Sequence, residues 1–357
     1  MIPISFFHVI FFERAMFMKI YKKQLPLLLL LAGSLCFGGC GADSSTAEKK
    51  NNAPETTAAF PQEMYTQVDT IEDALAEPMV PLSGSPSSAI SKGANAPGTV
   101  TYSGSKDVTL DASNASDGYF MIKCGGSDSK LKVIVSGPSG VKYTYNLNNR
   151  GDYETFVLSD GNGSYTIGVY ENISGTKYST LFTKKISVKL KDEFAPFLYP
   201  NQYVNFNANS KVVALAEELT SKTTDDLKKV EVIYDYVINN ITYDKQKART
   251  VQSGYLPKVD QILASKKGIC FDYAAVMASM LRSQDIPTKL VVGYTGSAYH
   301  AWISTYTPET GWVEGIIFFD GVSWKLMDPT FAASSNSSDA IMKYIGNGSN
   351  YQEKFLY

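Results

Sequence analysis

The sequence predicts an α+β protein in which an antiparallel β-sandwich domain precedes a mixed helix-and-sheet domain. Three observations carry that expectation. Short runs of alternating apolar and polar residues, separated by Gly- and Asp-rich turns, fill residues 98–191. From Ser210 the apolar spacing shifts from two to about 3.6 residues, the period of a helix buried on one face. After Pro287 strand-like runs return, beginning with Lys289–Tyr294.

The composition allows this architecture and excludes several functions. With 357 residues, 44% of them hydrophobic, the chain can build two domains beyond a targeting segment. A net charge of -2 gives no basic footprint for nucleic acid and no polybasic patch for anionic lipid. The 23 tyrosines suit extracellular β domains. Of the four cysteines, Cys36 and Cys40 lie in an N-terminal apolar segment, leaving Cys124 and Cys270 in the body of the protein. A bridge between those two stays open, but a disulfide-stapled fold shows more cysteines at regular spacing, and both are read as free thiols. Cys124, in a strand-like run, reads as a small buried hydrophobe. Of the two histidines, His8 is N-terminal, so His300 alone serves the body. A histidine-rich metal site is excluded, and no cofactor is expected.

Residues 1–17 are apolar but broken by Glu13 and Arg14, so Met18 is the more natural start. Lys19, Lys22 and Lys23 then form a positive region, Leu25 to Phe37 an apolar one, and Gly38, Gly39 and Cys40 a small-residue end. This is the pattern of a secretory signal, too short to span a membrane comfortably. Phe37-Gly38-Gly39-Cys40 resembles a bacterial lipobox, with Phe37 where Leu is usual. That resemblance implies lipid on Cys40 and a protein held at an outer membrane face; the alternative is plain secretion. Residues 41–97 read as a tether and linker, polar at first and punctuated by Pro78, Pro81, Pro86 and Pro97, with a short helical turn at Ile71 to Leu75.

In residues 98–191 strands are expected at 100–102, 108–110, 119–124, 131–136, 142–147, 152–158, 164–170 and 181–190. Asp160 to Tyr165 looks like an immunoglobulin-type corner. The domain reads either as a binding module for wall polymer or substrate, or as a platform for the next domain; the platform is favoured. Pro196 and Pro200 mark a junction. Val212 to Leu219 gives one amphipathic helix. Asp225 and Asp226 start a second, whose buried face is Leu227, Val230, Ile233, Tyr234, Val237 and Ile241. Residues 245–258 read as a polar surface loop, and Val259 to Ser265 as a short helix. The domain as a whole is expected over residues 196–357.

The chemistry concentrates between Gly268 and Thr330. Cys270 precedes Phe271, Ala274, Ala275, Ala278 and Leu281, an apolar stripe at helical spacing. The thiol therefore belongs at a helix N-terminus, where unpaired N–H groups and the dipole stabilise a thiolate. Gly268 permits a tight approach just before it and a contribution to an oxyanion hole. His300 opens a strand expected at Tyr299 to Ser304. Asp328 closes a hairpin expected from Gly311–Phe319 and Val322–Met327, turning at Asp320-Gly321. Each residue has a bland reading, as a core cysteine, a satisfied histidine or a turn aspartate. Together, each at the end of an element, they supply a nucleophile, a base and an orienting carboxylate.

Gly268-Ile269-Cys270-Phe271-Asp272-Tyr273-Ala274, Tyr299-His300-Ala301-Trp302 and Trp324-Lys325-Leu326-Met327-Asp328-Pro329-Thr330 together resemble the bacterial transglutaminase-like superfamily. The likeness covers roughly residues 205–335, including Tyr236 to Asp244. It implies a papain-like α+β core with Cys270 as nucleophile, His300 as general base and acid, and Asp328 as orienter; Tyr243 matches a position that lines the site and holds the oxyanion. Vertebrate members use calcium, and no acidic cluster here predicts such a site. The implied chemistry acts on protein or peptide amides at the cell envelope. A cysteine peptidase is the first reading, a protein-glutamine transglutaminase the second, and a non-catalytic surface-binding protein the third.

Overall fold

The computed structural model describes residues 92–295, 298–308, 310–313, 317–319, 324–326 and 351–357. The signal segment, Cys40, most of the tether, the Ile71 to Leu75 turn, the Asp320-Gly321 turn and Asp328 lie outside these residues.

Residues 101–188 form eight strands in two four-stranded antiparallel sheets. One sheet orders β1 (Thr101–Ser103), β2 (Thr109–Asp111), β3 (Tyr119–Lys123) and β6 (Glu154–Val157). The other orders β5 (Lys142–Leu147), β4 (Leu131–Ser136), β7 (Gly163–Ser174) and β8 (Lys177–Val188). Alternation puts Leu131, Val133 and Val135 of β4 beside Tyr165, Ile167 and Val169 of β7 in the core. The two sheets meet where the Tyr145 ring of β5 packs edge-on against Phe156 of β6, 4.9 Å between centroids. At the expected corner the Tyr165 hydroxyl donates to the Gly161 carbonyl at 2.8 Å. Cys124 is buried, its Sγ 3.2 Å from the Lys106 carbonyl oxygen, and burial pushes its thiol pKa up.

Five helices come next in the chain. They are α1 (Lys211–Thr220), α2 (Asp226–Asn240), α3 (Lys245–Thr250), α4 (Val259–Ser265) and α5 (Cys270–Ser283). Asp225 caps α2 by accepting the Lys228 N–H, as the sequence suggested. Helix α5 is buried along its whole length, with α1, α2 and α4 packed on it. Its other side meets β11 (Thr288–Thr295) and β12 (Ala298–Thr307), the centre of a sheet with β13 (Gly311–Val313) at one edge and β16 (Tyr351–Leu356) at the other. Two small pairs complete the described elements: parallel β9 (Thr242–Tyr243) with β10 (Lys267–Gly268), and antiparallel β14 (Ile317–Phe319) with β15 (Trp324–Leu326).

Two expectations need correction, and one strand was not read from the sequence at all. The stretch read as a polar surface loop holds α3, because Asp244 caps a helical turn by accepting the Lys247 N–H at 2.8 Å. Gly311–Val313 does not run on into the expected hairpin: it pairs with β12, while Ile317–Phe319 takes β15 as partner. β16 had no strong periodicity, yet it pairs with β11 through a bulge at Val292/Gly293. A Cβ on Gly293 would sit 2.0 Å from the Gln352 carbonyl oxygen, so only glycine lets β16 approach.

The two parts of the chain share one core. The junction is seated on the sheets by Gln202, whose N–H donates to the Thr155 carbonyl at 2.9 Å and whose Nε2 donates to the Asn146 carbonyl at 2.7 Å. A file of aromatic rings then runs from Tyr145 through Tyr203 (5.6 Å) to Phe271 (5.3 Å), the residue after Cys270. Tyr357 stacks edge-on against Tyr203 at 4.6 Å. Arg282 closes the opposite end of α5. Its guanidinium is wholly buried and donates to three carbonyls: Thr288 at 2.8 Å, Tyr199 at 2.7 Å and Tyr357 at 2.6 Å. Burial lowers its pKa to about 9, which leaves it charged at neutral pH.

Candidate active site

Cys270 is the first residue of α5, and the chain reaches it along β10. Lys266 adopts a left-handed conformation (φ 53°) that ends α4 and turns into β10. β10 is held in parallel beside β9 by the Thr242 N–H on the Lys266 carbonyl (2.9 Å) and the Asp244 N–H on the Gly268 carbonyl (2.8 Å). That register sets Tyr243 opposite Gly268, two residues from the thiol. The Tyr273 hydroxyl donates to the Ile241 carbonyl, tying α5 to the end of α2. Burial, then the neighbouring Tyr243, holds the Tyr273 phenol well above its usual range, so it stays a donor.

Ile269 is the N-cap of α5, in extended backbone. An isoleucine has no side-chain acceptor; its carbonyl takes the Asp272 N–H at 2.8 Å, and the positive end of the helix dipole lies at Cys270. The thiol is 5% exposed.

Chain geometry brings His300 to the same level. The Arg282–Thr288 bond puts the C-terminal end of α5 beside the start of β11. From there a helix advances about 1.5 Å per residue and a strand about 3.3 Å. The stretch of α5 back to Cys270 therefore matches roughly five to six residues of β11, ending at Gly293 or Tyr294. Gly293 is the cross-strand partner of His300 on β12, which also packs on α5. His300 is 8% exposed. By this rise per residue Cys270 falls at about the height of the Gly293–His300 pair along the helix–sheet interface.

A second group at this helix start was not singled out from sequence. Asp272, two residues after the thiol, is 0% exposed. Its carboxylate accepts the Ile269 N–H at 2.9 Å, the Tyr255 hydroxyl at 2.7 Å and the Lys247 ammonium at 2.6 Å. Lys247 also donates to the Tyr255 hydroxyl at 2.6 Å and lies over its ring, 4.2 Å from the centroid. Burial, then the Asp272 charge, keeps the Tyr255 phenol well above its usual range. Gly268 leaves room for this carboxylate: a Cβ there would lie 2.7 Å from that of Asp272. The signal was present in the sequence as an acid at the third helical position, where a carboxylate reaches back to the cap N–H.

Among the described residues no group of three His, Cys, Asp or Glu side chains is placed to hold a metal ion.

With this geometry in hand, comparison with known proteins locates the domain. Residues 213–315 match the transglutaminase-like superfamily. The match includes Tyr243, Cys270 and His300. Members of that superfamily are typically cysteine-based enzymes. Among curated proteins, the chain is 27% identical over 173 residues to YebA of Bacillus subtilis, covering 42% of this chain and 22% of that protein. It is 32% identical over 68 residues to a protein-glutamine gamma-glutamyltransferase of Pseudomonas aeruginosa, covering 15% of this chain and 10% of that enzyme. The chain thus spans a quarter or less of the length of these two relatives. A solved structure of a proposed cysteine protease from Cytophaga hutchinsonii aligns at 16% identity and a TM-score of 0.34, covering 67% of this chain and 75% of that one.

Proposed function

We propose that this protein is an exported thiol enzyme that acts on protein or peptide amides through an acyl-enzyme on Cys270. The observation that carries the proposal is the placement of Cys270 as the first residue of α5, a helix packed on the strand that bears His300. In the reaction the Cys270 thiolate attacks the amide carbonyl and a C–S bond forms. The resulting oxyanion is held by first-turn N–H groups and by Tyr243. The C–N bond breaks as His300 protonates the leaving amine, leaving a thioester. Water, deprotonated by His300, then releases the acid and the thiolate. Asp328 is assigned to orient the imidazole. Hydrolysis is the first reading, because a thioester formed outside the cell meets water unless the site excludes it. The match to a protein-glutamine gamma-glutamyltransferase favours amine transfer as the second.

The test is alkylation of the native protein near neutral pH. Cys270 is expected to react at least about tenfold faster than Cys124, whose burial disfavours the thiolate. Equal rates would remove the activated thiol from the account.

We also propose that the two sheets of residues 101–188 act as a sandwich-type platform for the catalytic part. The shared aromatic file through Tyr145, Tyr203 and Phe271 supports this role. The charge and apolar pattern of residues 18–40 supports export and lipid attachment at Cys40. No helix of the described residues is long and apolar enough to cross a membrane. Cys40→Ala is expected to move the protein from the membrane fraction to the soluble one; unchanged fractionation together with absent lipid labelling would argue against the anchor.

A further inference from the structure

We propose that Lys247 and Asp272 are a positioning pair for the Cys270 thiol, the carboxylate closing the helix start and the ammonium cancelling the charge that this carboxylate places two residues from the thiolate. The inference rests on the thiol-enzyme reading and adds to it two residues outside the expected Cys, His and Asp.

A helix whose cap is isoleucine needs another acceptor to fix its first turn. Asp272 supplies it by reaching back to the Ile269 N–H. That solution carries an electrostatic cost. A fully buried carboxylate two residues from Cys270 opposes a second negative charge on the sulfur. Lys247 removes the conflict by pairing directly with it. The pair does not hang on a loose side chain. Lys247 belongs to α3, whose capping residue Asp244 is bonded through its N–H to the Gly268 carbonyl. Tyr255, the third member, follows Gly254, where a Cβ would sit 2.2 Å from the Asn146 amide nitrogen of the second sheet.

Other titratable groups on the elements at this helix start include Asp244, Tyr243 on β9, Lys266 and Lys267 on the segment leading into α5, and Tyr273 on α5 itself. The buried residues that α1, α2 and α4 contribute are apolar apart from Thr220 and Tyr234. Lys247 is therefore the cation paired with Asp272 among the described residues. With Lys247 gone, the Tyr255 hydroxyl and the Ile269 N–H still bond the carboxylate.

The experiment measures the rate of Cys270 alkylation against pH in the full-length protein, with no substrate present. Lys247→Met is expected to slow the reaction about tenfold at neutral pH and move the profile to higher pH. Lys247→Arg keeps the charge and stays near wild type. Lys247→Met combined with Asp272→Asn removes both charges and recovers most of the lost rate. Should Lys247→Met fail to fold by circular dichroism, Lys247→Gln, which keeps a donor but no charge, carries the same expectation. A Lys247→Met or Lys247→Gln profile that superimposes on a fast wild type, or a double variant as slow as the single, overturns the pair while leaving the thiol enzyme intact. A wild-type Cys270 as slow as Cys124 overturns the thiol reading itself, and the pair with it.

Discussion

Cys270→Ala is expected to abolish turnover of peptide amides, a loss of roughly 10,000-fold or more, without a matching loss of stability. The size follows from the mechanism: with no sulfur there is no covalent intermediate, and only transition-state binding by the N–H groups of the helix start remains. The fold should tolerate the change, because alanine removes only one sulfur atom from the first residue of α5. His300→Ala separates the two jobs of the imidazole. An amide needs its leaving nitrogen protonated, whereas an activated ester does not. The variant should therefore lose far more activity on an amide than on a matched activated ester. Equal losses on both would remove His300 as the acid. Adding a labelled primary amine during turnover then divides the two outcomes: incorporated label means transfer, and new termini alone mean hydrolysis. A purified, folded Cys270→Ala protein that keeps its turnover would sink the whole assignment.

The largest expected effect on stability is at Arg282, far from the chemistry. Arg282→Met fills part of the volume but takes the guanidinium from the Tyr199 and Thr288 carbonyls and leaves that of Tyr357 with the Leu290 N–H alone. An unsatisfied buried acceptor costs about 1–3 kcal/mol, and relief from burying the cation offsets part of the total. A net loss of about 3 kcal/mol or more is expected, read as a lower urea midpoint at an unchanged slope. Arg282→Lys should recover only part of it, because an ammonium cannot reproduce the planar fork that reaches three separate segments. Stability unchanged in Arg282→Met would mean that the carbonyls find water and that the guanidinium is not a clasp. These bonds also align the end of α5 with β11, so the Met variant should lose some Cys270 reactivity along with its stability.

Much of the fold was legible in the sequence, and the reason is periodicity. Strand β4 shows its alternation openly in Leu131, Val133 and Val135, and α2 shows its stripe in Val230, Ile233, Tyr234 and Val237. Helix α5 shows its stripe in Phe271, Ala274, Ala275, Ala278 and Leu281, although the structure buries it on every side. β16 was not legible. Its residues have no clean alternation, and it is a strand because Gly293 lets it approach β11. Residues 245–258 misled for a related reason. Lys247 and Tyr255 are polar, and polarity signals solvent until a buried carboxylate is found to receive them.

By itself, then, the sequence determined that a cysteine would open a buried helix and that a single histidine of the body would lie on a strand beyond it. Both follow from local rules: helical spacing after Cys270, and strand-forming residues around His300. Only the tertiary structure decided how that helix and that strand are set against each other, because this depends on where Arg282 pins the helix to β11 and on the β11–β12 register. It also decided that Lys247, Tyr255 and Asp272 meet two residues from the thiol. Hydrogen bonds between distant segments leave no period in a sequence, and burial alone turns three ordinary polar residues into one charge-balanced group.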